Sequence, residues 1–151
     1  MKRNLILLLA ALSPGILLGD TNSPIHYADE ASTNPVPPYC TWATAATNLQ
    51  NALAFAEPGD QVHVAEGTYY PDRGMNETPG ARTNAFQLRS NLEIYGGFPP
   101  GGGLRNPDPR LNNTVLSGDI NQPGVSTDNV FHVVAGTGTV TNAVLDGFTV
   151  R

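Results

Sequence analysis

The sequence carries little positive charge. Lysine occurs once, at Lys2, and 8 lysine and arginine residues stand against 13 acidic ones, which gives a net charge of −5 over 151 residues. Because the sequence contains no basic cluster, binding of nucleic acid by neutralisation of phosphates is excluded. The same negative sign disfavours tight binding of a polyanionic polysaccharide unless a cation bridges the two.

Cysteine is almost absent. Cys40 is the only one, so the chain cannot form an internal disulfide. A nucleophilic role would need a paired histidine, and the sequence indicates none for this thiol. We therefore expect Cys40 to be a packed and inert side chain.

Long apolar runs are also scarce, and the clearest lies at the N-terminus. Lys2 and Arg3 precede the uninterrupted run Leu5–Leu12, and Pro14-Gly15 breaks any helix after it. This pattern predicts that residues 1–19 are a secretory signal peptide, too short and broken to span about 30 Å of hydrocarbon. A retained membrane anchor is the less favoured alternative. Removal of the segment leaves 6 basic and 13 acidic residues, and we expect the product to be secreted or at the cell surface, with no transmembrane span.

Turn-forming residues, in contrast, are abundant. The chain contains 16 glycines and 13 prolines, interleaved with β-branched and aromatic residues, which suits short strands with tight corners. One phrase recurs, a β-branched run that ends on a small turn with glycine: Gln61–Gly67, Glu93–Phe98, Thr114–Asp119 and Ala143–Phe148. The starts of these phrases lie 21 to 32 residues apart. Self-similarity at such periods predicts a solenoid, in which each unit buries its apolar face against its neighbours.

One segment has a helical pattern instead. Apolar residues recur at three- and four-residue spacing from Trp42 through Leu49 and Leu53 to Ala56, and Pro58-Gly59 follows. We predict a helix that starts at a cap on Thr41 or Thr44, with Trp42, Leu49 and Leu53 covering the open end of the first unit. A helix that binds a partner protein is the alternative.

The rest of the chain divides around this helix. Residues 20–40 are polar and rich in proline and predict an extended lead-in segment, with one short strand at Ile25–Ala28. Residues 41–151 contain the helix and then alternating strand patterns, including one at residues 130–134. Turn-rich loops separate the strands at Pro71–Thr83, Pro99–Asn113 and Ile120–Asn129. The strands lie too far apart for two-residue hairpins, so we predict parallel stacking.

Several segments, taken in order, resemble one family. They are Trp42–Ala52, Pro58–Val62, Ala65–Tyr69, Ile94–Phe98, Leu116–Ile120, Asp128–Val134 and Leu145–Thr149. They are similar to the N-terminal portion of bacterial right-handed parallel β-helix repeat proteins of the pectin-lyase-like superfamily. The resemblance implies an all-β solenoid with a short N-terminal α-helical cap, secretion, and further turns in a longer chain. The matching residues belong to the cap and the strands, so the resemblance assigns no catalytic residue.

Three aspartates are candidate calcium ligands. Asp119, Asp128 and Asp146 lie at strand–turn junctions, where neighbouring units of a solenoid could bring carboxylates together. A calcium-assisted lyase would also need a basic residue beside the substrate, for which Arg89 and Arg151 are available. The favoured interpretation is local, since an aspartate before glycine or asparagine commonly stabilises a turn. We expect no other cofactor.

Aromatic and histidine residues suggest a second kind of site. Tyr69, Tyr70 and Tyr95 could offer flat faces to a sugar ring, although packing within the strands is the favoured interpretation. His63 and His132 alternate with apolar residues, so we expect both to face outward. A polysaccharide or cell-surface glycan is therefore the expected partner.

These patterns favour one function over another. We expect an exported β-helix module, incomplete at its C-terminal end, that acts as a non-catalytic scaffold for adhesion or glycan binding. The alternative is the N-terminal part of a polysaccharide lyase or glycoside hydrolase whose active site lies beyond residue 151. We also expect residues 20–151 alone to be marginally stable or to self-associate, because the last unit lacks a neighbour.

Overall fold

The computed structural model describes residues 23–106, 108, 110–138 and 140–151. The predicted signal peptide, residues 1–19, lies outside these ranges. Within them, no helix has the length and apolar character needed to cross a membrane. The strands are β1 (Ile25–Ala28), β2 (Gln61–Ala65), β3 (Gly67–Tyr69), β4 (Phe86–Leu88), β5 (Glu93–Phe98), β6 (Thr114–Leu116), β7 (Val134–Gly136), β8 (Val144–Asp146) and β9 (Phe148–Val150). A 3₁₀ turn at Trp42–Thr44 and the helix α1 (Leu49–Phe55) complete the elements.

All strand pairs are parallel, and they form three sheets. The first sheet has the order β1-β2-β5-β8, the second β3-β6-β9 and the third β4-β7. From β2 onward the chain visits the three sheets in turn, so β2, β3 and β4 are followed by β5, β6 and β7 in the same sequence of sheets. The described part is therefore mainly strands with one short helix, as the sequence predicts.

The recurring phrase does not mark equivalent positions, however. Glu93–Phe98 and Val144–Asp146 pair in the first sheet, whereas Thr114–Leu116 belongs to the second. The 21-residue spacing between the second and third phrases therefore connects two different sheets, which corrects the simple repeat expected from the sequence. The phrase recurs because β-branched residues followed by a glycine suit a strand that ends at a corner, in either sheet.

The core lies between the sheets, and alternate residues of β1 and β2 and of the first half of β5 point into it. In the first sheet Val62, Val64 and Ile94 are fully or almost fully buried, while the residues between them are half-buried. Tyr69, Phe86 and Leu116 fill the core from the other two sheets. Complete burial of an aliphatic or aromatic side chain stabilises a fold by roughly 1.5–3 kcal/mol, so these residues dominate its stability.

Two glycines allow the first and second sheets to meet at a tight corner. Gly147 joins β8 to β9 with a φ of +81°, and a Cβ atom there would lie 2.7 Å from the carbonyl oxygen of Gly96. A Cβ on Gly96 would in turn lie 2.6 Å from the carbonyl oxygen of Gly147. Both contacts are with backbone, which cannot move aside as a flexible side chain can, so glycine is required at both positions.

The helix is shorter than its sequence pattern predicts. It begins at Leu49 because the side chain of Asn48 accepts a hydrogen bond from the backbone N–H of Asn51, which makes Asn48 the N-cap. Leu49 and Leu53 are buried as expected, and the helix packs against β1. Trp42 is not part of the helix and does not cover the core. It lies on the outer side of the first sheet.

The other differences from expectation concern β1 and β7. Ile25–Ala28 is a strand, as predicted, but it pairs in register with β2, so the 20–40 segment contributes an edge of the first sheet. The strand predicted over residues 130–134 is instead Val134–Gly136. Phe131 is 60% exposed and precedes that strand. Its backbone N–H donates to the carbonyl oxygen of Arg82 in a neighbouring loop.

Candidate functional site

The outer face of the first sheet carries a row of ring side chains. Parallel pairing places Tyr27 beside His63 and His63 beside Tyr95. The ring centroids are 5.6 Å apart in the first pair and 6.0 Å in the second, and both pairs meet edge to face. Successive strands of a sheet lie about 4.8 Å apart, so rings at the same register position come into contact.

Two further rings join this row from distant parts of the chain. Trp42 lies 4.7 Å from Tyr27 and 5.3 Å from Phe98, while Phe98 stacks on His63 at 4.5 Å with an interplanar angle of 18°. We call these five rings the aromatic face. The loop after β5 covers one side of it, because a Cβ atom at Gly102 would lie 2.3 Å from the Trp42 ring.

A chain of hydrogen bonds runs beside the aromatic face. Gln61 Nε2 and the Tyr95 hydroxyl both donate to Glu93 Oε2, at 2.9 and 3.0 Å. Because a carboxylate only accepts, the amide of Gln61 is fixed with Oε1 toward His63. His63 Nε2, 3.0 Å from that oxygen, is therefore the donor, and its neutral tautomer carries the hydrogen on Nε2.

A guanidinium group closes the other end of the face. Arg105 lies 5.0 Å above the Tyr95 ring, and its Nη2 donates to Asp146 at 2.5 Å. Its Nε donates to the carbonyl oxygen of Gly96 at 2.8 Å, which fixes the side chain along the sheet. The face thus combines rings with an amide, two carboxylates and a guanidinium.

This environment changes the acidity of two side chains. Burial, and then the positive charge of Arg105, lower the pKa of His63, which favours the neutral ring. Burial, together with the hydrogen bond to Glu93 and its negative charge, raises the pKa of Tyr95. Both groups are therefore uncharged at neutral pH, which suits contact with the apolar face of a ligand.

The sequence-predicted tyrosines separate in the structure. Tyr95 is on the aromatic face, but Tyr69 is 2% exposed and points into the core, where its hydroxyl donates to the carbonyl oxygen of Ala65. Tyr69 is therefore a core residue, as the favoured packing interpretation predicts, and the sugar-stacking alternative is wrong for it. Tyr70 is half-buried, and the guanidinium of Arg73 covers its ring at 4.1 Å.

The predicted calcium ligands occupy two places. Asp119 and Asp128 lie in the loop between β6 and β7, whereas Asp146 ends β8 and pairs with Arg105. In the described ranges, no three acidic, histidine or cysteine side chains are grouped to share a metal ion. Arg89, a candidate base, donates to the carbonyl oxygen of Leu53 and thereby ties β4 to helix α1.

The remaining predicted residues have plainer surroundings. His63 and His132 face outward as expected, His63 half-buried on the aromatic face and His132 exposed. Cys40 is exposed, not packed, which corrects the expectation for this thiol. The sequence analysis missed Tyr27, Trp42 and Phe98. The alternation in β1, β2 and β5 could have placed Tyr27 in the row, but no local pattern predicts the contacts of Trp42 and Phe98.

Two cavities lie away from the aromatic face. Their volumes are about 370 and 420 Å³, and they share Glu30, Ala31 and Thr68 along the outer side of the second sheet. Tyr70 is the one ring that lines them besides the buried Tyr69, so neither cavity offers the group of rings that the aromatic face has. The aromatic face is therefore the stronger candidate for a surface that binds a ring-shaped ligand.

No family model, curated protein or solved structure matches the chain. The resemblance to pectin-lyase-like proteins therefore stays a prediction.

Proposed function

We propose that this chain is an exported, right-handed parallel β-helix module that binds glycans without catalysis. Three parallel sheets visited in a constant order support the β-helix. Crossovers between parallel strands of one sheet are right-handed in about 98% of cases, which supports the handedness. The N-terminal pattern of Lys2, Arg3 and Leu5–Leu12 supports export.

The aromatic face is the observation that carries glycan binding. A pyranose ring presents C–H groups on its faces and hydroxyls at its edge. Flat rings such as Tyr27 and Tyr95 can pack against the C–H groups of the sugar. The polar groups of Gln61, Glu93 and Arg105 can form hydrogen bonds with its hydroxyls. A row of rings that runs across successive strands fits an extended polysaccharide better than an isolated small molecule.

Affinity electrophoresis tests this proposal. The exported chain should be retarded in gels that contain at least one of xylan, mannan, β-glucan, pectin, alginate or chondroitin. Tyr95→Ala should weaken retardation about five- to tenfold, because it removes one stacking ring. Tyr95→Phe keeps the ring and should stay within about threefold of the parent chain.

Tyr70→Ala is the matched control, since it makes the same substitution on a tyrosine outside the aromatic face. Equal losses in Tyr70→Ala and Tyr95→Ala, or no retardation by any of these polysaccharides, would refute glycan binding by this face. Release of unsaturated products from the uronate polymers, detected by their ultraviolet absorbance, would favour the lyase instead.

A further inference from the structure

We propose that the aromatic face selects uncharged glycans and rejects those that carry uronate groups, and that Glu93 and Asp146 determine this choice. The inference rests on the proposed glycan binding and adds the class of glycan that the face accepts. Its basis is the position of the two carboxylates, the pairing of Arg105, and the balance of charge beside the rings.

Asp146 lies at the end of the row of rings. Parallel pairing places Tyr27, His63, Tyr95 and Asp146 at the same register position on four successive strands of the first sheet. The Asp146 side chain is 53% exposed, so its carboxylate is accessible from solvent. An extended glycan that packs along the rings therefore reaches this carboxylate at the end of the row.

The carboxylate of Glu93 is fixed beside the same rings. Glu93 is half-buried, and its Oε2 accepts hydrogen bonds from Gln61 Nε2 and the Tyr95 hydroxyl at 2.9 and 3.0 Å. Both donors are neutral, so they hold the carboxylate in place without cancelling its charge. A sugar hydroxyl can donate a hydrogen to a carboxylate oxygen, whereas a uronate carboxylate has none to donate.

The guanidinium group of Arg105 is already paired with an anion. Its Nη2 donates to Asp146 Oδ2 at 2.5 Å, and its Nε donates to the carbonyl oxygen of Gly96 at 2.8 Å. Because Asp146 belongs to the same chain, it competes for Arg105 without the translational cost that an incoming ligand bears. A uronate group would have to displace Asp146, and the displaced carboxylate would stay beside it.

The balance of charge on the face is negative. Arg105 supplies one positive charge, and Glu93 and Asp146 supply two negative ones. The Tyr95 hydroxyl reflects this balance: burial first, and then the hydrogen bond to Glu93 and its negative charge, raise the pKa of Tyr95, and the opposite effect of Arg105 is smaller. A uronate carboxylate beside Tyr95 would meet the same unfavourable field as a tyrosinate anion.

Matched polymers that differ in charge test this selectivity. The pairs are mannan and β-glucan before and after oxidation of their C6 hydroxymethyl groups to carboxylates, glucuronoxylan before and after removal of its uronate groups, and de-esterified and methyl-esterified pectin. All are coupled to beads at equal load, together with alginate and chondroitin. The exported chain should bind the uncharged member of any pair that it recognises at least about fivefold more tightly. This preference should shrink between about 0.05 and 0.5 M NaCl, because salt screens repulsion between charges.

Two substitutions that remove one negative charge each identify the residues responsible. Asp146→Asn releases Arg105 from its partner and should reduce the preference for the uncharged member at least about fivefold. Glu93→Gln keeps an oxygen that accepts from Gln61 and Tyr95, and it should reduce the preference in the same direction. Asp128→Asn is the matched control, since it makes the same change of charge in the loop between β6 and β7. It should keep the preference of the parent chain.

Each other outcome is decisive. Equal or tighter binding of the charged members, or binding of alginate or chondroitin alone, would overturn the selectivity while glycan binding stands. An equal change in Asp146→Asn and Asp128→Asn would assign the preference to the net charge of the chain and would also overturn it. If Asp146→Asn does not fold, Glu93→Gln decides by the same comparison with Asp128→Asn. If no polymer binds, the proposed function fails, and this inference fails with it.

Discussion

Each ring nitrogen of His26 lies within hydrogen-bond distance of an oxygen atom. Nδ1 lies 2.7 Å from the carbonyl oxygen of Pro38, and Nε2 lies 3.2 Å from Asp60 Oδ2. A carbonyl oxygen only accepts, so Nδ1 donates to Pro38, and Nε2 lies against the Asp60 carboxylate. His26 is 4% exposed, which makes this a buried polar contact at the edge of the core.

Removal of one partner should therefore be costly. His26→Leu removes the side-chain partner of the buried Asp60 carboxylate, which keeps only the Glu57 N–H, and we expect a loss of about 1–3 kcal/mol in the free energy of unfolding, measured by urea denaturation. The double substitution His26→Leu with Asp60→Asn should lose less than the sum of the two single substitutions. Strict additivity would show that the two side chains do not interact.

His63 should make stability depend on pH. Its pKa in the folded chain is lowered from 6.5 by burial and by Arg105, so the unfolded chain binds a proton more readily than the folded one. The contribution of a neutral His63 is then fully present above pH 6.5 and is lost as the pH falls toward the lowered folded pKa. Urea denaturation at pH 7.5 and pH 5.5 should show this loss.

His63→Gln is the comparison that isolates this residue, because glutamine does not titrate. The fall in stability between pH 7.5 and pH 5.5 should be smaller in the variant than in the parent chain. An equal fall in both would show that His63 is not the source of the pH dependence.

At the scale of elements, the N-terminus of helix α1 depends on one side chain. Asn48 accepts the N–H of Asn51 at 3.0 Å, so Asn48→Ala should lower the free energy of unfolding by about 1 kcal/mol. Thr41, which precedes the 3₁₀ turn, makes no such bond to the backbone. Thr41→Ala should therefore change stability by less than about 0.5 kcal/mol, measured in the same urea titration. Equal losses would contradict the capping role of Asn48.

The same helix shows how far a local pattern reaches. The apolar spacing of residues 42–56 predicted a helix, and Leu49 and Leu53 are buried as expected. The pattern could not locate the start, because Ala45 and Ala46 are buried by contact with β1, where Asp29 N–H donates to the carbonyl oxygen of Ala46. Burial by a distant strand and burial by a helix leave the same apolar spacing in the sequence.

The glycine corner of Gly96 and Gly147 permits a controlled comparison. Gly124 has the same φ as Gly147, +81°, but a Cβ atom there would meet nothing within 4 Å. Gly124→Ala should cost about 1 kcal/mol for the backbone conformation alone. Gly147→Ala should cost about 2–3 kcal/mol, because it adds the clash with the Gly96 carbonyl. Equal losses in thermal or urea denaturation would show that the corner relaxes.

At the scale of the whole molecule, the last strands are less protected than the others. Leu116 in β6 is fully buried, whereas Val150, its partner in β9, is 50% exposed. In the described residues β8 and β9 pair on one side only, and such edges favour association. We expect residues 20–151 to self-associate with rising concentration in light-scattering measurements, and Val150→Lys to reduce this. A monomer that melts cooperatively at all concentrations would contradict the expectation.

The sequence predicted parallel strands, long loops and a short helix because each has a local signature. It did not predict which strands share a sheet, since β2 and β5 pair across 32 residues and β5 and β8 across 51. The aromatic face depends on that pairing. His63 and Tyr95 could be recognised as outward-facing candidates, but the row they form with Tyr27 exists only in the parallel register, and Trp42 and Phe98 reach it through loops.

The corners between the first and second sheets have very different lengths. A single residue separates β2 from β3 and β8 from β9, while fifteen residues separate β5 from β6, and yet β3, β6 and β9 pair in register. Strand alignment is thus insensitive to what the chain does outside the corner. The segment after β5 is therefore a natural graft position, where a peptide of foreign sequence could replace the existing excursion while the strands on either side keep their alignment.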